Sequence, residues 1–575
     1  MRKFLMTVVV SVSALSGCSV ISKVASPALA QGEQGAAARD GETASALTGD
    51  VLYDVVLAEI AAKRGHLQVA IDLYQRLADR FQDAQLAERA TRIAYFARDN
   101  KKALKAAQSW VRFDPDNMEA RQIVTTLLIQ EGRQDDALVH LEKILAQSAR
   151  NAENGFMVIA GLLSRERDKR AALVIMAKLV ARHNDDADAL FAYSHLALRL
   201  GELTTAREAI DKVLDLKPDW TAATVQKARI LRSQDKIPLA LSFLKEAVAR
   251  NPESIELRLL YARMLTDQER LGEAYEQFKY IVKARPDNDD ALFATGFIAL
   301  QLERYQEAEK YLTELKSRGT RGFEVNYYLG RLEELKGNDE TATRWYSSIS
   351  SGEYYINAQI RIAVIMARGG DLLSARGHLN ALKVQRPAQA LRLYLVEGEL
   401  LHDAEMYEEA KSVYDQALKE IPDNADLLYA RAMVAEKLDQ LDVLEADLRA
   451  ILERDPNNAE ALNALGYTLA DRTDRLEEAR ELISRALELR PQDYYIIDSM
   501  GWVYYRLGNH DEAIKYLRRA LDMKLDPEIA AHLGEVLWVT GKKEEARQVW
   551  QRALSLGERK TEIVREVMKK FTQSD

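Results

Sequence analysis

The prolines of this 575-residue chain keep time. Pro218, Pro252 and Pro286 lie 34 residues apart, and Pro387, Pro422, Pro456 and Pro491 follow at intervals of 35, 34 and 35. Pro115 precedes Pro218, and Pro387 follows Pro286, by close to three such periods, so one register runs through most of the chain. The settings recur as well: Pro115-Asp116-Asn117, Pro286-Asp287-Asn288, Pro422-Asp423-Asn424 and Pro456-Asn457-Asn458 each read as a helix stop followed by an Asp or Asn N-cap. A small residue marks the same beat from Ala70 to Ala546, through Ala206, Ala308, Ala410, Ala479 and Ala513, and only Leu444 breaks the run. Four and seven residues after each alanine come apolar side chains such as Ile210 and Val213 or Phe278 and Ile281, which is one helix face. Five residues before it, glycine recurs at Gly65, Gly132, Gly201, Gly337, Gly370, Gly508 and Gly541, where a left-handed residue can end the preceding helix without a Cβ clash.

A unit of helix, tight turn and helix cannot bury its own apolar face, so copies must stack on one another. The spacing predicts an all-α array of about fifteen such units over residues 51–558, wound as a right-handed superhelix. It is followed by a C-terminal capping helix and tail over 559–575, in which Ile563, Val564, Val567 and Met568 face the last unit. Composition agrees: 11 Pro and 27 Gly are few for this length, while 47% apolar and 29% charged residues suit a soluble core. The segments around 165–180 and 345–355 lack the terminal proline and are expected to be the least regular.

Charge and metal chemistry narrow the function. With 89 acidic against 80 basic residues, interspersed along the chain, there is no clustered cationic surface for a phosphate backbone, and no nucleic-acid partner is expected. One Cys and eight His supply neither a disulfide framework nor a metal site.

The one long apolar run is N-terminal. Arg2 and Lys3 followed by an apolar stretch from Phe4 to Ala14 read as an export signal over 1–17. Leu15-Ser16-Gly17-Cys18 then resembles the lipobox of bacterial lipoproteins, which makes Cys18 the lipidated first residue of the mature chain. The competing site, Ala28-Leu29-Ala30, would leave a soluble protein beginning at Gln31, but lies far beyond the apolar stretch. Several acyl chains on Cys18 would anchor the protein stably, where one would bind reversibly. Ser19, rather than Asp, after the Cys resembles an outer-membrane sorting pattern. Residues 18–50 carry the composition of a flexible tether, with a span of about 30 Å. No cofactor is expected beyond the covalent lipid on Cys18, and the membrane is met through that anchor only.

The period and its residues resemble the tetratricopeptide repeat (TPR): Leu465-Gly466-Tyr467 with Ala479 and Pro491, Gly501 and Tyr504 with Ala513, and Leu533-Gly534 with Ala546. With the lipobox and tether, the chain is similar to outer-membrane TPR lipoproteins, in particular to adaptors that partner a periplasmic carboxyl-terminal processing protease. That resemblance implies a scaffold facing the periplasm that assembles or activates the protease and presents cell-wall hydrolase substrates. Two other readings stay open: an assembly or pilot factor for envelope or secretion machinery, and a regulator of cell-wall synthesis without a protease.

No catalytic motif is present: the sequence has no H-E-x-x-H, no G-x-S-x-G and no phosphate-cradling glycine loop. His532 and Glu535 have the spacing of two metal ligands on a helix, but no third ligand is evident, which favours a structural or groove role. Asp185, Asp186 and Asp188 fall at a repeat junction, as caps would. In the TPR family the first helix of each unit lines the concave side. Carried onto this chain, that places Asn463, Tyr467, Asp498, Trp502, Tyr505, His532, Glu535 and Trp538 in a protein-binding groove, with Phe293, Phe297, Tyr327 and Arg331 as a second patch. Aromatic area beside hydrogen-bonding groups suits an extended peptide. The alternative is that these rings pack between neighbouring repeats.

Overall fold

The computed structural model describes residues 49–151, 153–557 and 561–572. Cys18, the rival cleavage site and nearly all of the tether lie outside them. Every regular element among the described residues is helical: 31 α-helices and one short 3-10 turn at Pro387–Gln389. The first thirty α-helices fall into fifteen successive pairs, from Gly49–Lys63 with Leu67–Phe81 to Pro527–Val539 with Lys543–Leu554, and these pairs are repeats 1 to 15 below. The chain divides into two compact units, residues 1–237 and 238–575. Within each, consecutive helices pack on one another; one large cluster of Leu, Ile, Val and Ala runs along the stack of the first unit, and successive smaller clusters line the second.

The local code is visible turn by turn. Asn117, Asn288, Asn424 and Asn458 each accept a hydrogen bond from the backbone N–H three residues on, as N-caps after the periodic prolines. Asp186 caps its helix in the same way, and Asp188 pairs with Lys217 at 3.3 Å. All seven periodic glycines are left-handed, with φ between 73° and 90°. Six repeats without that glycine adopt the same conformation with Arg98, Asp235, Glu269, Glu303, Glu405 and Asp439, at φ of 56° to 59°. The turn is therefore imposed by the packing of the two helices, and a β-carbon is forced into a region that costs L-residues about 1–2 kcal/mol. Repeat 13 departs from this, its first helix running on to Arg472 and ending at an extended Thr473.

Small residues stand where helices meet. The periodic alanines are fully buried. A glycine in the middle of the first helix makes room for one bulky side chain of the second: a β-carbon at Gly466 or Gly501 would come within 2.6 Å of Ile483 or Leu517, and one at Gly534 would fall inside the Trp550 indole. Of the two segments expected to be irregular, 165–180 instead holds a full thirteen-residue helix, Lys169–Ala181, because its apolar face packs without a terminal proline, and the shortening falls on the helix before it. Gly155–Leu163 in repeat 4 and Asp339–Ser347 in repeat 9 have nine residues each, and Ile349, beyond the second, fills the core from a loop. Glu562–Thr572 closes the end of unit 2, with Val564 buried and Val567, Met568 and Phe571 against the Trp538 and Trp550 cluster, while Ile563 points outward. At the other end of the chain, Leu52, Tyr53, Val56 and Ile60 on the first helix are exposed.

Candidate functional site

The first helices of repeats 13, 14 and 15 are Ala459–Arg472, Tyr494–Arg506 and Pro527–Val539. Residues spaced by three or four share one helix face, so each helix offers a short column: Asn463, Tyr467 and Asp471; Asp498, Trp502 and Tyr505; Glu528, His532 and Glu535. Stacking the repeats lays these columns side by side. His532 Nδ1 lies 3.0 and 3.1 Å from the two Asp498 carboxylate oxygens, and its Nε2 lies 3.4 Å from the Tyr467 hydroxyl two repeats away. The Trp502 indole stacks on the imidazole, with ring centres 4.3 Å apart at 26°, and donates Nε1–H to Asp471 at 3.1 Å. Tyr505 packs against Trp502 at 5.1 Å and donates its hydroxyl to Glu535, and Lys570 of the terminal helix stands 3.6 Å from the same carboxylate.

Burial and charge decide the state of this network. Asp498, His532 and Trp502 are only 5%, 6% and 7% exposed. Burial pushes the imidazole towards its neutral form, but the Asp498 charge and hydrogen bond, with Glu528 and Asp471 behind them, outweigh it and lift His532 to about 8. At neutral pH both ring nitrogens therefore carry protons, one donated to Asp498 and the other directed at Tyr467. Burial raises the Tyr467 and Tyr505 phenols, the latter to about 12, so both stay protonated, Tyr467 accepting from His532 and Tyr505 donating to Glu535. A His–Asp pair alone is no hydrolase: the Ser499 hydroxyl on the same helix is donated to the Tyr495 carbonyl at 3.0 Å. Among the described residues no three His, Cys, Asp or Glu side chains are arranged to hold a metal ion.

Six of the eight residues picked from the sequence are thus tied into one network. Trp538 lies apart from it, stacked on Trp550 at 5.6 Å with the Arg547 guanidinium 5.1 Å from its own ring centre. Asn463 is half-buried, and its Oδ1 is enclosed without a hydrogen-bond partner among the described residues. Asp471 was missed by sequence reasoning, although it lies four residues after Tyr467 on the same face.

The second patch is also assembled, through rings that the sequence reading passed over. Phe293 and Phe297 are joined by Tyr328, edge-on to both at 5.5 and 5.2 Å, and Tyr327 packs on Tyr328 and Tyr354. Arg331 sits over a buried carboxylate, Glu334. Two further buried ion-pair centres follow in the same unit: Glu397 with Arg376 and Lys383 at 3.0 and 2.6 Å, and Arg431 with Asp447 and Asp415, both at 2.6 Å.

Comparison with known proteins matches these repeats. A tetratricopeptide-repeat profile fits residues 160–219, 225–289, 265–321, 445–494 and 499–560, and a second one fits 391–424. A TPR repeat-containing protein of Pseudomonas aeruginosa is 33% identical over 493 residues, covering 84% of this chain and 82% of that protein. The cellulose synthase operon protein C of Pseudomonas fluorescens is 22% identical over 431 residues, covering 64% of this chain but 33% of its own length. Among solved structures, yeast Tom70 aligns over 92% of this chain and 96% of its own, at 13% identity and a TM-score of 0.35.

Proposed function

The chain belongs to the tetratricopeptide-repeat family, whose members mediate protein–protein interactions, and from that premise we propose that it is a non-enzymatic scaffold of the cell envelope. In this reading Cys18 carries the lipid, the repeats face the periplasm from the outer membrane, and the partners are a carboxyl-terminal processing protease and its cell-wall hydrolase substrates. Tethering enzyme and substrate on one support makes their encounter effectively intramolecular, which is the work an adaptor does.

The observation that carries the reading is the locked network of repeats 13–15. Its aromatic groups are held by their own hydrogen bonds before any partner arrives, so little side-chain entropy remains to be lost on binding. Trp502 and His532 form the buried frame. The half-buried Tyr467, Tyr505 and Asn463 are the groups left to touch a partner.

Co-purification from detergent-solubilised membranes tests the partner. Wild-type protein is expected to bring down a periplasmic protease, and Asn463→Ala with Tyr505→Ala to lose it while keeping the helical signal; undiminished recovery with the double variant would move the site elsewhere. Acyl-chain labelling tests the anchor: wild type takes up label and Cys18→Ala does not. An unlabelled wild type whose mature chain begins at Gln31 would end the outer-membrane reading.

A further inference from the structure

Repeats 3 and 7 carry the same arginine in different company. Arg121 and Arg258 are 137 residues apart, four repeats on, in the first helices Met118–Gln130 and Ile255–Asp267. Both are deeply buried, at 5% and 9% exposure, and each donates Nη2–H to the carbonyl of the proline six residues before it, Pro115 or Pro252. In repeat 7 the second helix, Leu271–Ala284, completes the environment. Gln277 Oε1 accepts from Arg258 Nη1 at 2.6 Å, and the Tyr280 ring centre lies 3.7 Å from the guanidinium. The same 137-residue step leads from Gln277 and Tyr280 to His140 and Lys143 on the second helix of repeat 3, Gln134–Arg150. An acceptor and an aromatic face are thus exchanged for an imidazole and an ammonium.

The exchange leaves a cation uncompensated. Arg258 keeps only Nε without a partner, whereas among the described residues Arg121 has none for Nε or Nη1, and His140 has none for Nδ1. No carboxylate among the described residues is ion-paired to Arg121, and the nearby charge of Asp116 is shared with Arg150 at 3.8 Å. Burial accordingly lowers Arg121, and burial, followed by Arg121 and Lys143 and opposed by Asp136, brings His140 down to about 4. Gln147, on the same helix face as His140 and Lys143, donates its amide N–H to the Asp116 carbonyl, and its own Oε1 is enclosed without a partner. A buried charge is costly unless it is paired, so donors that converge without an acceptor invite an anion. Guanidinium N–H groups bind a phosphate through parallel hydrogen bonds, and the enclosure of Arg121 admits a small free ion rather than a group carried on a bulky molecule.

We propose that Arg121 and His140, aided by Lys143, bind free inorganic phosphate in repeat 3. Nε–H and Nη1–H of Arg121 and Nδ1–H of His140 are the donors, and Lys143, exposed one turn further along, adds charge. An ion held only by the folded repeat stabilises it, so phosphate braces repeat 3. The site is independent of the adaptor reading.

Calorimetric titration of the mature protein with sodium phosphate at pH 7, in chloride buffer of matched ionic strength, tests the proposal. One phosphate per chain is expected, with a dissociation constant below about 1 mM. His140→Gln gives Arg121 the acceptor that Arg258 already has. It is expected to weaken phosphate binding at least tenfold while raising the melting temperature in chloride. Glycerol 3-phosphate, which brings an ester group into the enclosure, is expected to bind at least tenfold more weakly than the free ion, and equal binding overturns the assignment to inorganic phosphate. A wild type that gives no heat and melts at the same temperature in phosphate and chloride overturns the site, with Arg121 then turned to Gln147. Binding that is undiminished in His140→Gln marks an adventitious ion only and overturns it equally. Recovery of a protease from membranes has no bearing on any of these outcomes, so the two readings fail separately.

Discussion

Repeats 9–12 and repeats 13–15 meet the same demand, the closing of one unit's helices against the next, with different chemistry. The earlier group buries full charges: Glu334 under Arg361, Glu397 between Arg376 and Lys383, and Arg431 between two aspartates. The later group buries rings, and its one deeply enclosed charge pair among the described residues is His532 with Asp498. Carboxylates and guanidiniums hold their charge from about pH 5 to 9, whereas a histidine does not. The difference teaches that one repeat architecture can be closed by ion pairs of lasting charge in one region and by a titrating pair in the next. Because such arrays are stabilised by each repeat and its neighbours, the two can be broken independently.

The largest effect is expected at Glu397. Replacing it by Ala strands Arg376 and Lys383 beside a buried site and is expected to cost about 3–5 kcal/mol. Hydrogen exchange should quicken in Tyr355–Arg368 to Tyr407–Glu420, and scarcely at all in repeats 14 and 15. Exchange quickening evenly along the whole unit would erase the distinction. In the ring-built region the counterpart is Gly534→Ala, whose β-carbon meets the Trp550 indole. Overpacking there is expected to cost about 3 kcal/mol, read as accelerated exchange confined to the last two repeats and the terminal helix.

Protonation separates the regions next. Since folding raises His532 above its ordinary value, its contribution is full below about pH 6.5 and fades as pH rises through about 8, a span of about 2 kcal/mol. Repeats 13–15 should therefore loosen as pH rises from 6 to 9, and Asp498→Asn should remove that dependence; in repeat 11 burial lifts the Glu399 carboxyl to about 7, so a separate loosening is expected there as pH rises from about 4.5 through 7. An imidazole resonance titrating below 6.5 would contradict the network. The smallest effect concerns the turns. Repeats 14 and 15 already hold glycine at φ 79° and 81°, whereas repeats 11 and 12 hold Glu405 and Asp439 in the same conformation. Glu405→Gly should relieve backbone strain and stabilise repeat 11 by about 0.5–1 kcal/mol, and Gly508→Ala should cost repeat 14 a similar amount, both measured by urea unfolding.

What the sequence could say depended on range. The Pro–Asn caps, the left-handed glycines and the buried alanines are local, and residues such as Asn458, Gly508 and Ala513 disclose them by type and spacing. Glu405 and Asp439 hide the same turn, because nothing in an acidic residue announces positive φ when tertiary packing imposes it. For the binding face, Asp498 and His532 are 34 residues apart, one period, and so share a neighbourhood by arithmetic alone. Burial is what arithmetic could not supply: Trp502 stands edge to face with solvent in a helix drawn from sequence, yet lies beneath its neighbours in the stack. Glu334, Glu397 and Arg431 were illegible for a plainer reason, since charged residues populate every helix and only the fold tells a solvated one from a buried one.

The stacking of Trp502 on His532 has an optical consequence. A protonated imidazole in contact with an excited indole takes up its electron and darkens its emission, while the neutral ring does so far less. Of the chain's six tryptophans, Trp502 is the one stacked on a histidine among the described residues. Its glow should brighten as alkali removes that proton, so repeats 13–15 carry a built-in lamp that reports, without any added dye, whenever a change of pH or an arriving partner shifts the charge on His532.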